Sequence, residues 1–415
     1  MTQTAKPQRT TNPVLKEKYK YDGPNGAKRL ERRVRGSAGG NLLFPTGPTS
    51  SNTAEIEVIK TFLNSVVSDN ANFCTMDIRD FYLGTDMPAG DEEYMWIDSS
   101  HLTDQFIADY HLHEFIVPHG KSYRILMEIC KTIYGLKNAG RLSKDKLDNI
   151  LLASGYTEDT NVPCVYSHAT NGVRFVLVVD DFAVKYNSIA GRDHLINAIK
   201  QANYELSVDA TGSKFVGLTI ECNRNKRYIE ISCPGYVAKL LKRFAHRNIK
   251  PCDSPMIYTP PAYGTTTQLA VTDSSPQLDD DAIREAQQII GCILWYSRCV
   301  DASTLTAVSK AATALGDKQS SLNAQLDRLL GHLMAYPDNK VRYQASDMVF
   351  HSFSDLSFCS ESRSRSRVGG LGFYGWYNKP ERLNGPVITS STILDVVAGS
   401  VSEGEYGSVT KWVAR

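Results

Sequence analysis

The stretch Phe175-Val-Leu-Val-Val-Asp180-Asp181-Phe-Ala-Val184 sets two adjacent carboxylates between two apolar runs. Apolar runs of this length on either side of a short polar pair predict a tight hairpin of buried strands with the aspartates at its tip. Like charges this close are costly to ionise together unless a cation or a proton intervenes, and nothing in the local sequence neutralises them. A divalent metal is the natural counter-ion. Aspartate is also a favoured turn residue, so for the pair alone that plainer reading stands beside the metal-binding one.

At 415 residues the chain has room for two or three domains of about 150 residues each. The composition is that of an ordinary globular protein. There is no apolar span long enough to cross a membrane, and Met1-Thr-Gln-Thr-Ala-Lys-Pro7 lacks the apolar core of a signal peptide. The expectation is a soluble intracellular protein, cytoplasmic or nuclear, with no membrane partner. The nine cysteines are scattered and form no C-x-x-C pair, so they are read as reduced core residues.

The formal net charge of +1 conceals segregation. Residues 1–40 carry a net +7 and residues 221–250 a net +6, whereas residues 77–120 carry a net −9. Two basic regions flanking an acidic one suit a cleft that grips a polyanion at its walls and binds metal at its floor. Solvated charged faces are the alternative.

Along the chain, residues 1–54 are rich in Pro, Gly, Thr and basic side chains, predicting an extended or loosely ordered segment. The spacing predicts a helix over 55–67, capped by Ser51, Asn52 or Thr53, and a buried strand over 72–77 ending on Asp77. Residues 84–120 read as an acidic irregular insertion, followed by a strand over 123–129. The turn Tyr134-Gly-Leu-Lys-Asn-Ala-Gly140 precedes a helix over 141–154, with leucines at 142, 147, 151 and 152 and Gly155 as its stop. A strand at 165–166, the hairpin at 173–186, a helix over 192–201 and strands over 215–222 and 227–232 follow. Residues 235–244 form a basic amphipathic helix, 251–281 a linker, 282–335 a helical region, and 340–415 a return to strands and turns. Ser362-Arg-Ser-Arg-Ser-Arg367 reads first as a solvated loop, with a nucleic-acid contact as the second reading. His111 and His113 find no further ligand at metal spacing and read as an unliganded surface segment.

Asp77 ends one strand, and Asp180 and Asp181 follow at a hairpin tip about a hundred residues on. If the strands are neighbours, three carboxylates meet at one end of a sheet, as a two-metal phosphoryl-transfer site requires: hard oxygen ligands that leave coordination positions for phosphate and water. Strand alternation would point Asp180 and Asp181 to opposite faces, so the turn must unite them, and Asp180 is expected to be the stronger ligand.

The ordered set Asp77-Ile-Arg-Asp80-Phe81-Tyr82, Tyr134-Gly-Leu-Lys-Asn-Ala-Gly140, Val178-Val-Asp180-Asp181 and Lys214-Phe-Val-Gly217-Leu resembles reverse transcriptase motifs A, B, C and E. The wording is similar to copia-type LTR retrotransposon polyproteins. Their YGLKQA turn resembles residues 134–139, with Asn138 in place of Gln, and their DPCVY resembles residues 162–166, with Val162 in place of Asp. Val178 stands where the family commonly has Tyr, a change that leaves the carboxylates untouched.

The resemblance implies an RNA-directed DNA polymerase that adds deoxynucleotides to a primer on an RNA or DNA template. Asp77, Asp180 and Asp181 would be the catalytic acids and the ligands of two Mg²⁺ or Mn²⁺ ions. Tyr82 would exclude ribonucleotides at the sugar 2′ carbon; a core aromatic is its plainer reading. Gly135 would let the backbone approach the nucleotide, and Arg35, with Arg33 second, would hold the triphosphate of the deoxynucleoside triphosphate. Lys137 would touch template or phosphate. Gly217 would grip the primer, and Lys239, Lys242 and Arg243 would face the duplex backbone.

Further on, Phe353-Ser-Asp355-Leu-Ser-Phe and Ser402-Glu-Gly-Glu405-Tyr resemble the first acidic motifs of an appended ribonuclease H. Asp355 is expected after a strand and Glu405 at the opening of a helix, with Glu403 a weaker choice. Such a nuclease requires further acids downstream, so an incomplete ribonuclease H-like α/β region and a fragment of a longer polyprotein are expected. The expected fold is α+β. A right-hand polymerase of fingers, palm and thumb over 55–250 follows the basic segment 1–54, then a linker and helical connection over 251–345, then the ribonuclease H-like region over 346–415. Two other readings remain open: a catalytically inactive nucleic-acid-binding remnant of a mobile element, and a metal hydrolase that is not a polymerase.

Overall fold

A computed structural model describes residues 9–10, 14–21, 28–39, 47–90, 92–257, 274–361, 365–379 and 381–394. The order of elements is mixed α/β. The chain opens with β1 (Arg9–Thr10), β2 (Val14–Tyr21) and β3 (Lys28–Arg35), then α1 (Ile56–Ser68) and β4 (Asn72–Ile78). Next come β5 (Tyr94–Asp98), α2 (Asp104–Asp109), β6 (Ile116–His119), β7 (Ser122–Glu128) and α3 (Ala139–Ala153). Strands β8 (Tyr156–Glu158), β9 (Val165–His168), β10 (Val173–Val178) and β11 (Asp181–Tyr186) lead to α4 (Ile189–Gln201) and β12 (Leu206–Asp209). There follow β13 (Lys214–Phe215), β14 (Leu218–Asn223), β15 (Tyr228–Ser232) and α5 (Tyr236–Arg243). Helices α6 (Asp280–Cys299), α7 (Leu305–Leu315) and α8 (Leu322–Ala335) precede β16 (Lys340–Gln344), β17 (Val349–Glu361), β18 (Arg365–Gly375) and β19 (Pro386–Ile393).

Two compact units share these elements. The first takes Met1–Thr53, Met76–Phe182 and Ser188–Val208; the second takes Ala54–Thr75, Ala183–Asn187 and Asp209–Arg415. Strands β4 and β11 therefore each run from one unit into the other.

In the first unit a sheet ordered β12-β4-β11-β10-β9-β8 carries the ends of β4 and β11 that belong there. Strand β10 is apolar nearly throughout because it is a central strand: Phe175, Val176 and Leu177 are all buried. Phe175 stacks on Tyr166 of the neighbouring strand at 5.0 Å and packs against Phe182 at 5.3 Å. Each such ring contributes about 2–3 kcal/mol by leaving water. Helix α3 buries Ala139, Ser143, Leu147 and Leu151, a stripe of period four, whereas Leu152 on its other side is 62% exposed. Gly155 ends the helix at φ +85°, a conformation that favours glycine. A second sheet is ordered β1-β5-β7-β6, and β2 pairs with β3 as a hairpin.

Three local expectations before residue 121 differ from the structure. The residues read as loosely ordered before 54 include β1, β2 and β3, paired by backbone bonds that composition does not announce. Helix α1 opens on Glu55, which makes no side-chain capping bond, rather than on Ser51, Asn52 or Thr53. The acidic insertion holds β5, α2 and β6.

The second unit packs α1 against β15, β16 and β19. Its sheet runs β13-β14-β15-β16 and its second sheet β17-β18-β19, with α6, α7 and α8 where the helical region was expected. The strand expected over 215–222 breaks into β13 and β14 at Val216 and Gly217, both with positive φ. Lys60 of α1 is 2% exposed and donates to the carbonyl of Arg298. Asp355 does not follow a strand: it lies within β17, exposed, opposite Gly369, because that strand runs on to Glu361. Glu403, Glu405 and the helix expected there lie outside the described residues. Among the described residues no helix is long and apolar enough to cross a membrane.

Candidate active site

Strand β4 is buried along Phe73 to Met76, turns Asp77 outward, and buries Ile78 again. The backbone N–H of Ile78 donates to the carbonyl of Asp180 at 3.0 Å, which fixes the end of β4 beside the β10–β11 turn. Within that turn Val179 has φ +59°. A β-branched residue rarely adopts this conformation, so the turn holds backbone strain one residue before Asp180.

Asp181 lies in the field of Asp180 and Asp77. Burial pushes the Asp181 carboxyl up to about 6, and the charges of Asp180 and then Asp77 add to the effect. The cation nearest in sequence is Arg79, whose guanidinium pairs with Glu205 at 2.8 Å and Asp80 at 3.5 Å. Among the described residues no three His, Cys, Asp or Glu side chains form a ready-made metal-binding group. The donor chemistry suits a hard cation: Asp181 is costly to ionise beside the charges of Asp180 and Asp77, and carboxylate oxygens serve an ion that takes only part of its shell from protein.

Tyr82 lies in the 3-10 turn Phe81–Gly84 that follows β4, opened by Asp80 in the left-handed conformation. Its phenol is raised above the ordinary tyrosine range by burial, then by the charge of Asp180 and by Tyr134, which places it in the field of Asp180. The ring meets Tyr134 edge-on, with centroids 4.9 Å apart and planes at 83°. Thr132, fully buried, donates its hydroxyl to the Tyr82 carbonyl and lies 3.2 Å from the Ser143 hydroxyl of α3. The Tyr134 carbonyl accepts from Ala38 N–H at 2.8 Å. Gly135 has φ +91°, and a Cβ there would sit 2.1 Å from the Ala38 carbonyl oxygen. Its lack of a side chain thus has a local structural cause. Lys137 is exposed on the same turn. Arg33 and Arg35 belong to β3 by backbone, while their side chains lie outside the described residues.

The second unit holds the remaining candidates. Gly217, at φ +84°, bends the β13–β14 hairpin. Helix α5 buries Val237 and Leu240 and exposes Lys239, Lys242 and Arg243, the last donating to Gln288 at 2.6 Å. Both His111 and His113 are exposed, in a turn and a 3-10 segment.

Ala38, Thr132 and Ser143 went unmarked in the sequence. Thr132 stands two residues before the Tyr134-Gly135 motif, and that adjacency was the available signal; Ala38 and Ser143 gave none.

Comparison with known proteins follows this geometry. The family described as reverse transcriptase (RNA-dependent DNA polymerase) matches residues 40–258, just over half of the chain. The retrovirus-related Pol polyprotein from transposon TNT 1-94 of Nicotiana tabacum is 21% identical over 299 residues, which are 70% of this chain and 21% of that polyprotein. The chain thus spans about a fifth of the length of the curated relative it matches.

Proposed function

Because the chain belongs to the reverse transcriptase (RNA-dependent DNA polymerase) family, we propose that it copies an RNA or DNA template by extending a primer with deoxynucleotides. The observation that carries this reading is the main-chain bond from Ile78 to Asp180, which sets Asp77 at the end of β4 beside the β10–β11 turn, where the charges of Asp180 and Asp77 raise the Asp181 carboxyl. In this reading the six-stranded sheet is the palm, the strands around β2–β3 and β5–β7 are fingers, and α5 is part of the thumb. Helices α6–α8 are the connection, and β17–β19 open a ribonuclease H-like region in which Asp355 is the first acid. The likeness to a transposon polyprotein supports reading the chain as part of such a polyprotein.

Asp77, Asp180 and Asp181 would hold two Mg²⁺ or Mn²⁺ ions. When bound, these acidify the primer hydroxyl and stabilise charge on the phosphates. The protein's own part is positioning and charge stabilisation. The main-chain bond from Ile78 to Asp180 keeps the carboxylates in register. Tyr82 walls the sugar side of the nucleotide, and a 2′ hydroxyl would collide with its ring. Arg33 and Arg35 would take the triphosphate, and Lys137, Gly217, Lys239, Lys242 and Arg243 the template and primer backbone.

Primer extension on an RNA template with Mg²⁺ or Mn²⁺ tests the proposal, comparing the protein with Asp180→Asn. Extension by the wild type and its loss in the variant is the expected result. Equal extension in both would sink the carboxylate assignment, and salt-sensitive binding to primer-template without extension would favour a non-catalytic remnant.

A further inference from the structure

Tyr82 is held from two directions by one short segment. Its carbonyl accepts from the buried Thr132 hydroxyl, and its ring meets the edge of Tyr134 two residues further on. That segment is itself anchored. The Thr132 N–H donates to the Thr85 carbonyl at 2.8 Å, and its hydroxyl lies beside Ser143 of α3. The Tyr134 carbonyl is taken by Ala38, and Gly135 lets the Ala38 backbone approach where a Cβ would collide. Around these groups Ala38, Ile129, Leu136 and Ala139 form a small apolar core against which Tyr82 packs.

We propose that Thr132 and Tyr134 are positioning residues that set the place of the Tyr82 ring, and through it the discrimination between deoxyribose and ribose in the incoming nucleotide. This rests on the polymerase reading and on Tyr82 as the wall of the sugar site. A half-buried ring on a 3-10 turn has two soft side-chain torsions, and a wall that swings admits a 2′ hydroxyl. Thr132 fixes the backbone from which the ring projects. Tyr134 sets the angle of the ring, since an edge-to-face pair is favourable over a narrow range of orientation. Neither residue need touch the nucleotide for this.

Single-nucleotide incorporation on a primed RNA template, comparing kcat/KM for a deoxynucleotide and its ribonucleotide, tests the proposal. Tyr134→Leu is expected to lower the deoxy-to-ribo ratio by roughly fivefold to tenfold, the change an edge-to-face contact carries. Thr132→Val should act in the same direction, while Tyr134→Phe and Thr132→Ser, which keep the ring and the hydroxyl, retain the ratio. A general structural defect lowers both rates together and leaves the ratio alone. In a Tyr82→Val background, Tyr134→Leu should change the ratio no further, because the two residues then share no contact. An unchanged ratio in Tyr134→Leu, with a lowered ratio in Tyr82→Val, overturns the proposal while leaving the wall intact. An unchanged ratio in Tyr82→Val overturns the wall and the proposal together. No incorporation by the wild type overturns the polymerase reading beneath both. Should Tyr134→Leu fail to fold, Tyr134→Met, which also lacks the ring, carries the same expectations.

Discussion

Ile78 and Asp180 share a main-chain hydrogen bond of 3.0 Å, N–H to carbonyl, between the end of β4 and the tip of the β10–β11 hairpin. The spacing of Asp77 from Asp180 is therefore set by backbone rather than by the carboxylates themselves. Asp180→Asn should leave that spacing intact and remove a charge. Extension is expected to fall roughly a hundredfold to a thousandfold, with no loss of melting temperature. Paired measurement of primer extension and thermal unfolding checks this.

The raised pKa of Asp181, about 6 against an ordinary 3.8, has a definite sign for stability. The folded state binds the proton more tightly than the unfolded one, so the group costs stability as pH rises from about 4 through about 6. Asp181→Asn should match the wild type near pH 4 and exceed it at pH 8 by about 1–2 kcal/mol, the partial exposure of the site being allowed for. Urea unfolding in the presence of chelator at both pH values is the measurement. Adding Mg²⁺ should narrow the gap at pH 8, since binding stabilises the state that binds.

Lys60 shows the opposite displacement. Burial lowers its pKa from 10.5 to about 8, with Cys299 and Glu57 pulling it back up and Arg298 pushing it down. The unfolded state binds the proton more tightly, so a penalty of about 3 kcal/mol is present below pH 8 and is relieved between about 8 and 10.5. Lys60→Met removes the charge and also one donor to the Arg298 carbonyl, worth about 1–1.5 kcal/mol. A net gain of about 1–2 kcal/mol at pH 7 is expected, shrinking and reversing towards pH 10.5, by denaturant unfolding across that range.

Gly135→Ala meets both a positive φ and the Ala38 carbonyl oxygen. The expected loss is about 2–4 kcal/mol, seen as a lower urea midpoint with unchanged slope. Gly36→Ala, where nothing lies within 4 Å, is the control and should stay within about 0.5 kcal/mol of wild type.

Much of the first unit was legible in advance. The apolar run at 173–178 could be read because a central strand is dehydrated on both faces, and the hairpin at 180–181 because its flanks demand burial. The electrostatic closeness of Asp77 to that hairpin was inferred from motif order, since pairing between strands a hundred residues apart leaves no local mark. Val179 was opaque for a different reason: β-branched residues disfavour positive φ, so its conformation follows from the surrounding structure rather than from its own preference. Asp355 misled because a strand boundary was read from Phe353-Ser-Asp355, whereas β17 continues through it in register with β18. The segment 14–35 was read by composition, and composition carries no information about the pairing of Val14 with Arg35.

Because α1 packs on β15, β16 and β19, it must leave the ribosome long before its partners exist. During synthesis its apolar face is covered only in part until Pro386–Ile393 emerges. A nascent chain stalled before β19 should therefore leave part of α1 open to proteases and chaperones, and stabilisation of that helix should come in steps as β15, β16 and β19 emerge.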